Sequence, residues 1–257
     1  MDFFINFMEE VVILPIITFV IGILFNVLRR YGSRARRRKL TRLNIKSPQD
    51  DIICYTANSG HYDEQELVTL GYVFEYIAIG ELRVSMKELF KGVEVCARMS
   101  PPEFSDLRAR DIKSDLILVG GPFHNCVTRE LVFGENFPFH FEEDASLVYE
   151  AEGERDVYTP KEAEQRTRYF ETDYALIVNM RNPRAQGKRV IAPMGCRSIG
   201  CLGAGVFLAD KLKNYYRTVK DDEYAIVIRC EGDEEDIIDE PEFIKYYRLG
   251  EPPEPRK

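Results

Sequence analysis

Two short apolar runs in the sequence each lead through a glycine-containing turn into a helix-like segment. Residues 115–119 (Asp-Leu-Ile-Leu-Val) run into Gly120-Gly121-Pro122-Phe123-His124-Asn125 and then into helix-like residues 126–132. Residues 190–192 (Val-Ile-Ala) precede a glycine-bearing turn at 195–197 and small, helix-compatible residues from Ser198 onward. Strand, turn and helix units of this kind are typical of parallel α/β sheets, which bind ligands at the carboxyl ends of their strands. Both turns are therefore predicted to lie at one edge of a single sheet.

The second turn has the composition of an anion-binding turn. Ser198 is a favourable N-cap, and the first amides of the helix behind it have no partner within the helix, which suits a phosphate or a carboxylate. The spacing Gly195-x4-Gly200-x2-Gly203-x-Gly205 is neither the dinucleotide fingerprint nor a P-loop, so it indicates no particular ligand. The alternative is that these glycines only let the helix lie close to the strand.

The first turn offers a similar set of polar residues. Asn125 and Thr128 are three positions apart and so share a helix face, and Arg129 beside them can neutralise an anion. The alternative is that Asn125 only caps the helix and that Arg129 is solvated. A third loop, Asn58-Ser59-Gly60, follows the first predicted strand. The predicted ligand-binding residues are Asn58, Ser59, Gly60, Gly120, Gly121, Pro122, Asn125, Thr128, Arg129, Gly195, Cys196, Arg197, Ser198 and Gly200.

Strand and helix patterns alternate through the first half of the body, and strand patterns dominate after residue 132. This order predicts an α/β fold with a Rossmann-like, mostly parallel sheet and antiparallel additions, preceded by one transmembrane helix. The predicted strands are residues 51–56, 93–96, 115–119, 137–141, 146–149, 173–180, 188–192 and 224–230, with a hairpin-like link at 181–187. Helical patterns cover residues 81–90, 104–110 and 126–132, and residues 72–78 read as extended.

The amino-terminal part of the chain predicts a membrane anchor. Residues 11–28 are eighteen positions without a charge, which as a helix span about 27 Å and cross the hydrocarbon of a bilayer. Eight basic residues follow within positions 29–42, so the chain is predicted to be a single-pass protein of the cell membrane with its amino terminus outside and its body in the cytoplasm. The alternative is a buried amphipathic helix. Thr18, Gly22 and Asn26 lie on one face of the helix and predict a homo-oligomer.

The predicted organisation is a segment at 1–28 containing this helix, a basic linker at 29–49, a cytosolic domain at 50–240 and a carboxyl-terminal tail at 241–257. Without the eight basic residues of the linker and without Asp2, Glu9 and Glu10, positions 43–257 hold 27 of the 35 basic and 40 of the 43 acidic residues. A body this acidic repels nucleic acid, which is therefore excluded as a partner. The basic linker instead suits anionic lipid head groups.

The chemistry-bearing residues form no recognised catalytic or metal motif. The six cysteines contain no Cys-x-x-Cys pair and the three histidines no helical pair, so no metal site is predicted. Cys196 lies in the second turn, where a helix amino terminus can lower a thiol pKa and produce a nucleophile. Enzymes that cleave N-glycosidic bonds use a carboxylate, and Glu81 and Glu130 are the candidates for it. Both acids have the alternative role of a capping or solvated side chain.

Four separated pieces of the sequence resemble one known group of proteins. The pieces are Gly120-Gly121-Pro122-x2-Asn125-x2-Thr128, Asp173-Tyr174-x2-Ile177, Asn182-Pro183, and a strand followed by Gly195 and Gly200. Together they look like a set of largely uncharacterised, membrane-anchored prokaryotic Rossmann-like domains, and the resemblance covers positions 50 to 215. It implies a nucleotide or an NAD-like ligand at the two turns.

Two further resemblances are looser. The Gly-Pro turn is similar to that of nucleoside deoxyribosyltransferase-like folds, and an anchor joined to a nucleotide sensor looks like the effectors of bacterial antiviral signalling. Three hypotheses follow: a membrane-anchored sensor or effector that binds a small anionic ligand, a hydrolase or transferase acting on the glycosidic bond of a nucleoside or NAD, and a non-catalytic membrane scaffold.

Overall fold

The computed structural model describes residues 52–56, 77–80, 82, 94–134, 136–151, 153–162, 170–211, 223–232 and 240–250. All of them belong to the compact unit Arg42–Lys257. The predicted membrane helix at 11–28, the basic linker, the loop at 58–60 and Glu81 lie outside the described residues. In the part of the chain that is described, no helix is long and apolar enough to cross a bilayer.

Eleven strands and three α-helices make up the described residues. The strands are β1 Ile52–Thr56, β2 Val95–Met99, β3 Leu116–Leu118, β4 Phe139–Phe141, β5 Leu147–Ala151, β6 Glu154–Tyr158, β7 Lys161–Glu162, β8 Phe170–Arg181, β9 Arg189–Gly195, β10 Tyr224–Glu231 and β11 Glu242–Arg248. The helices are α1 Ala109–Ile112, α2 Cys126–Val132 and α3 Ser198–Val206, and α3 continues as a π-helical turn at Phe207–Lys211. A short 3-10 helix covers Phe104–Asp106, and residues 77–80 and 82 are helical, where part of an extended segment was predicted.

The main sheet is parallel at one end and antiparallel at the other. Its strands lie in the order β2-β1-β3-β9-β8-β10-β11, with β7 also paired to β8. The pairs β2/β1, β1/β3 and β3/β9 are parallel, and the pairs β9/β8, β8/β10 and β10/β11 are antiparallel. The fold is therefore mixed α/β. Strand β9 is the member of both halves, and the predicted hairpin-like link at 181–187 joins it to β8.

Apolar side chains cover both faces of the main sheet. Successive residues of a strand point to opposite faces, and in β10 Ala225 and Val227 belong to the buried cluster that contains α2 and the strands β4 and β5. On the other face of the same strand, Cys230 lies beneath α3, because a Cβ built on Gly203 would be 2.2 Å from its Sγ. Burial on both faces explains why the strands of this sheet are nearly continuous apolar runs.

A second, three-stranded sheet, in the order β4-β5-β6, packs against this framework. Strand β6 lies in a charged segment where no strand was predicted, and β11 lies in the segment predicted to be a carboxyl-terminal tail, so the domain extends beyond residue 240. A polar cluster joins the two strands. Tyr247 of β11 donates a hydrogen bond of 2.6 Å to Asp156, Lys245 donates one of 2.7 Å to the same carboxylate, and the hydroxyls of Tyr158 and Tyr247 are 2.6 Å apart.

Candidate functional site

The two glycine turns lie side by side at the carboxyl edge of the parallel strands. Gly120, which follows β3 with a φ of 96°, donates its amide to the carbonyl of Pro193 in β9 at 3.2 Å. A Cβ on Gly121 would lie 3.9 Å from the carbonyl oxygen of Gly195. The strand order also reverses direction between β1 and β3, which is where open α/β sheets form their ligand crevice. The prediction that both turns share one edge is confirmed.

Asn125 and Thr128 use their polar atoms inside the fold. The Asn125 oxygen accepts from the amides of Val127 at 3.1 Å and Thr128 at 3.2 Å, and its nitrogen donates to the carbonyls of Tyr55 and Val119. The Thr128 hydroxyl donates to the Gly120 carbonyl at 3.1 Å, and both side chains are fully buried. These two residues therefore hold the loop after β3 in place.

The amino terminus of α2 has partners of its own. Asn125 caps the amides of Val127 and Thr128, and the Cys126 amide donates to the Ser100 hydroxyl at 3.2 Å. Arg129 is about half exposed and lies 3.7 Å from Glu130 in a solvent-facing ion pair. The alternative considered for this turn, a capping asparagine beside a solvated arginine, is the arrangement found in the structure.

The amino terminus of α3 is occupied by a carboxylate of the protein itself. Asp173, at the start of β8, accepts from the amides of Arg197 at 3.1 Å and Gly200 at 2.6 Å with one oxygen, and from its neighbour Tyr174 at 2.8 Å with the other. The N-cap residue is Arg197, so the prediction that Ser198 caps the helix is wrong. Asp173 reaches this position because β8 and β9 are antiparallel, which brings the first residues of β8 to the last residues of β9.

Burial dominates the ionisation of Asp173. Loss of solvation raises the pKa of this carboxyl to about 7, although the amides of Gly200, Tyr174 and Arg197 and the charge of Arg197 all favour the ionised form. The group is fully buried. Its surroundings are those of a helix-capping acid that ionises only near neutral pH.

Close packing accounts for the glycines of the second turn. A Cβ on Gly195 would lie 2.2 Å from the Cys201 amide nitrogen, and one on Gly200 would lie 2.5 Å from the Tyr174 carbonyl oxygen. Contacts this short are with backbone, which has no room to move. The spacing of these residues therefore reflects how closely α3 approaches the sheet.

Three side chains around the two turns are open to solvent: Phe123, His124 and Arg197. A third element, the turn between β4 and β5, reaches the same region. Its Asp144 carbonyl accepts from Nη2 of Arg197 at 3.3 Å, and its Phe141 ring lies 6.5 Å from the ring of Phe123. Neither Phe123 nor this hairpin was predicted. The signal available for Phe123 was a large apolar residue inside a glycine- and proline-rich turn.

The catalytic candidates do not come together at this edge. Burial raises the pKa of the Cys196 thiol well above its usual value, and the nearby Asp173 adds to the effect, which is the opposite of what a nucleophile needs. Glu130 is a partly exposed acid on α2, and Glu81 lies outside the described residues. No group of three or more potential metal ligands is found among the residues that the structure describes.

Comparison with known proteins adds no family. No protein-family model matches the chain, and no curated protein is a significant match to it. The resemblance to prokaryotic Rossmann-like domains stays a prediction, as does the nucleotide-type ligand that it implies.

Proposed function

We propose that this protein is a membrane-anchored binding module, with a cytosolic domain that holds a small anionic ligand of nucleotide-derived type at the carboxyl edge of its parallel strands. In this proposal the module is a sensor or effector that passes the bound state to its membrane segment. The observation that carries the proposal is the meeting of the loop after β3, the turn after β9 and the β4–β5 turn around the exposed Arg197.

Arg197 is the group that supplies the positive charge. The amides of α2 and the capped amides of α3 already have partners in Asn125, Ser100 and Asp173. Charge recognition therefore falls to the exposed guanidinium, whose planar donors match the oxygens of a phosphate or carboxylate. Its contact with the Asp144 carbonyl uses one donor and fixes the direction of the side chain.

The loops around Arg197 are ordered before any ligand arrives. Asn125 and Thr128 fix the loop after β3, and Asp173 fixes the turn after β9. A loop that is already in its bound shape loses less conformational entropy on binding. This rigidity supports a binding role for the edge.

The membrane part of the proposal is supported by the sequence. An uncharged stretch of eighteen residues followed by eight basic residues favours a single-pass anchor with the body inside the cell, and Thr18, Gly22 and Asn26 favour self-association. Alkaline extraction of membranes should leave the full-length protein in the pellet. Protease added to intact cells should spare the body of the protein. Release by alkaline extraction, or a body that is cut from outside, contradicts the anchor or its orientation.

A second candidate function is hydrolysis or transfer at a glycosidic bond of a nucleoside or NAD, and Asp144 favours it. This exposed acid lies beside Arg197, and hydrogen bonds from Ser146, followed by the charge of Arg197, keep its pKa below the usual value. A carboxylate that stays ionised can stabilise an oxocarbenium-like state. Release of free base from NAD or a nucleoside that Asp144→Asn abolishes would establish this function in place of the sensor.

Ligand binding by the full-length protein in mild detergent tests the leading proposal. Small molecules that co-purify with it are identified by mass spectrometry, and binding of nucleotides and of NAD is measured by calorimetry. Gly121→Leu should abolish binding, because the side chain extends from a Cβ that faces the Gly195 carbonyl at 3.9 Å between the two turns. Arg197→Gln should weaken binding at least tenfold, since a charge-assisted contact contributes about 1.5–3 kcal/mol.

The matched control is Arg181→Gln, which removes the same charge from the opposite edge of the sheet, where Arg181 pairs with Arg189 at the start of β9. Equal losses in the two arginine variants would mean that only the net charge of the domain matters. Binding that survives both Gly121→Leu and Arg197→Gln would place the ligand elsewhere and overturn the proposal.

A further inference from the structure

Phe123 is the most solvent-exposed large apolar residue in the described part of the chain. It is 62% exposed, against 48% for Met99, which comes next among the five exposed residues of this kind. It is also the aromatic member of that group. Single apolar residues are common on protein surfaces. Its position, and not its exposure alone, gives Phe123 its significance.

The loop that carries Phe123 is fixed on both sides. Before it, the Gly120 amide donates to the Pro193 carbonyl at 3.2 Å, and after it the Asn125 amide donates to the Gly121 carbonyl at 3.1 Å. The ring meets Phe141 edge to face at 6.5 Å between centroids, which supports the side chain and leaves most of its surface to solvent. Phe123 is thus an open aromatic ring on a rigid loop.

The same hairpin connects this ring to the positive charge of the edge. Phe141 ends β4, and Asp144, three residues later, accepts the hydrogen bond from Arg197. The turn after β9 therefore lies against one part of the hairpin, and Phe123 against another. A ligand that bridges the two loops meets a flat apolar surface and a guanidinium.

We propose that Phe123 is a specificity-determining residue that stacks on a planar aromatic ring of the ligand, while Arg197 contacts an anionic group of the same molecule. The inference rests on the proposed function and narrows its ligand to molecules that carry both parts, as a nucleotide does. Stacking on an aromatic side chain tolerates every base, because each has a π face. Phe123 accordingly separates ligands with a ring from ligands without one, and makes little distinction among bases.

Paired probes that differ only in the ring test this assignment. AMP, GMP, CMP and UMP are compared with ribose 5-phosphate by calorimetry on the full-length protein in detergent. Stacking on one aromatic side chain should make wild-type binding of the nucleotides about 5- to 150-fold tighter than binding of ribose 5-phosphate. Phe123→Leu should bring the affinities for all five probes close together, and Phe123→Tyr should keep the wild-type preference.

Two further variants separate stacking from stability and from charge. Phe137→Leu removes a ring from the same aromatic cluster, where it lies 5.1 Å from Phe133, and should leave the preference unchanged. Arg197→Gln should weaken nucleotides and ribose 5-phosphate by the same factor. Thermal unfolding of each variant confirms that it is folded.

The outcomes distinguish the inference from the function beneath it. Wild-type protein that binds none of the five probes overturns both. Equal binding of nucleotides and ribose 5-phosphate by the wild type, or a nucleotide preference that persists in Phe123→Leu, overturns the stacking role and leaves an anion-binding edge in place.

Discussion

Asp173→Asn tests how the buried acid is held at the start of α3. The wild-type carboxyl has a pKa raised by burial to about 7, against 3.8 for an ordinary aspartate. A folded-state pKa above the unfolded value means that the folded protein binds the proton more tightly. The stability that this provides is complete below pH 3.8 and is lost as the pH rises through 7. Asparagine cannot ionise, so the variant lacks this pH dependence.

The size of the effect follows from the shift. Linkage gives a slope approaching about 1.4 kcal/mol per pH unit between the two pKa values, or about 4 kcal/mol in all. Between pH 5 and pH 8 the wild type should lose about 3 kcal/mol of unfolding free energy relative to Asp173→Asn. The variant has a constant cost of about 1–2 kcal/mol, because its amide nitrogen faces the Tyr174 amide that the second carboxylate oxygen accepts from in the wild type.

Urea unfolding of both proteins at pH 5, 6, 7 and 8 measures the difference. The chain has no tryptophan, so circular dichroism is the suitable signal. The pH dependence of other groups cancels when the two proteins are subtracted at each pH. A difference that stays constant with pH, or a wild type that gains on the variant as the pH rises, would refute the reasoning. Either result would mean that the α3 amides keep the carboxylate ionised despite its burial.

Other substitutions test the remaining parts of the framework by the same unfolding measurement. Asn125→Ala should lower the unfolding free energy by about 2–4 kcal/mol, because four buried hydrogen bonds lose their partner; a loss below 1 kcal/mol would contradict its role in the loop. Gly200→Ala should cost about 1–3 kcal/mol or more, because its Cβ would meet the Tyr174 carbonyl at 2.5 Å, and the matched Gly134→Ala should change stability by less than about 1 kcal/mol, because nothing lies within 4 Å of its Cβ. Equal effects of the two alanines would rule out close packing as the reason for Gly200. Tyr247→Phe should cost about 1 kcal/mol and raise the pKa of Asp156, which Lys245 and then Tyr247 hold low; an unchanged carboxyl titration by NMR would disprove the link.

The parallel half of the sheet was predictable because its strands are apolar runs. Residues 115–119 and 190–192 have no polar interruption, and a strand buried on both faces needs this pattern. The helix at Cys126–Val132 was predicted with its observed ends, because Asn125 is both a turn residue and a cap. Local sequence determines each of these features.

Features that depend on distant partners were not predictable in this way. Strand β6 is charged, and it is held through Tyr158 and Asp156 by residues of β11 that lie 89 to 91 positions away. The capping of α3 by Asp173 joins residues 24 and 27 positions apart, while a nearer serine satisfied the local capping rule. The start of β8 became a cap only because the chain returns beside β9.

The pairing of β3 with β9 has a consequence for how the chain is made. Leu116 and Val190 are neighbours in the sheet but 74 positions apart in the chain. At a synthesis rate of about 5–20 residues per second, β3 waits roughly 4–15 s on the ribosome for the strand that covers its open side. The nascent amino-terminal half therefore exposes an apolar strand edge to the surrounding cell, so its safe arrival depends on helper proteins or on the nearby membrane to shield it.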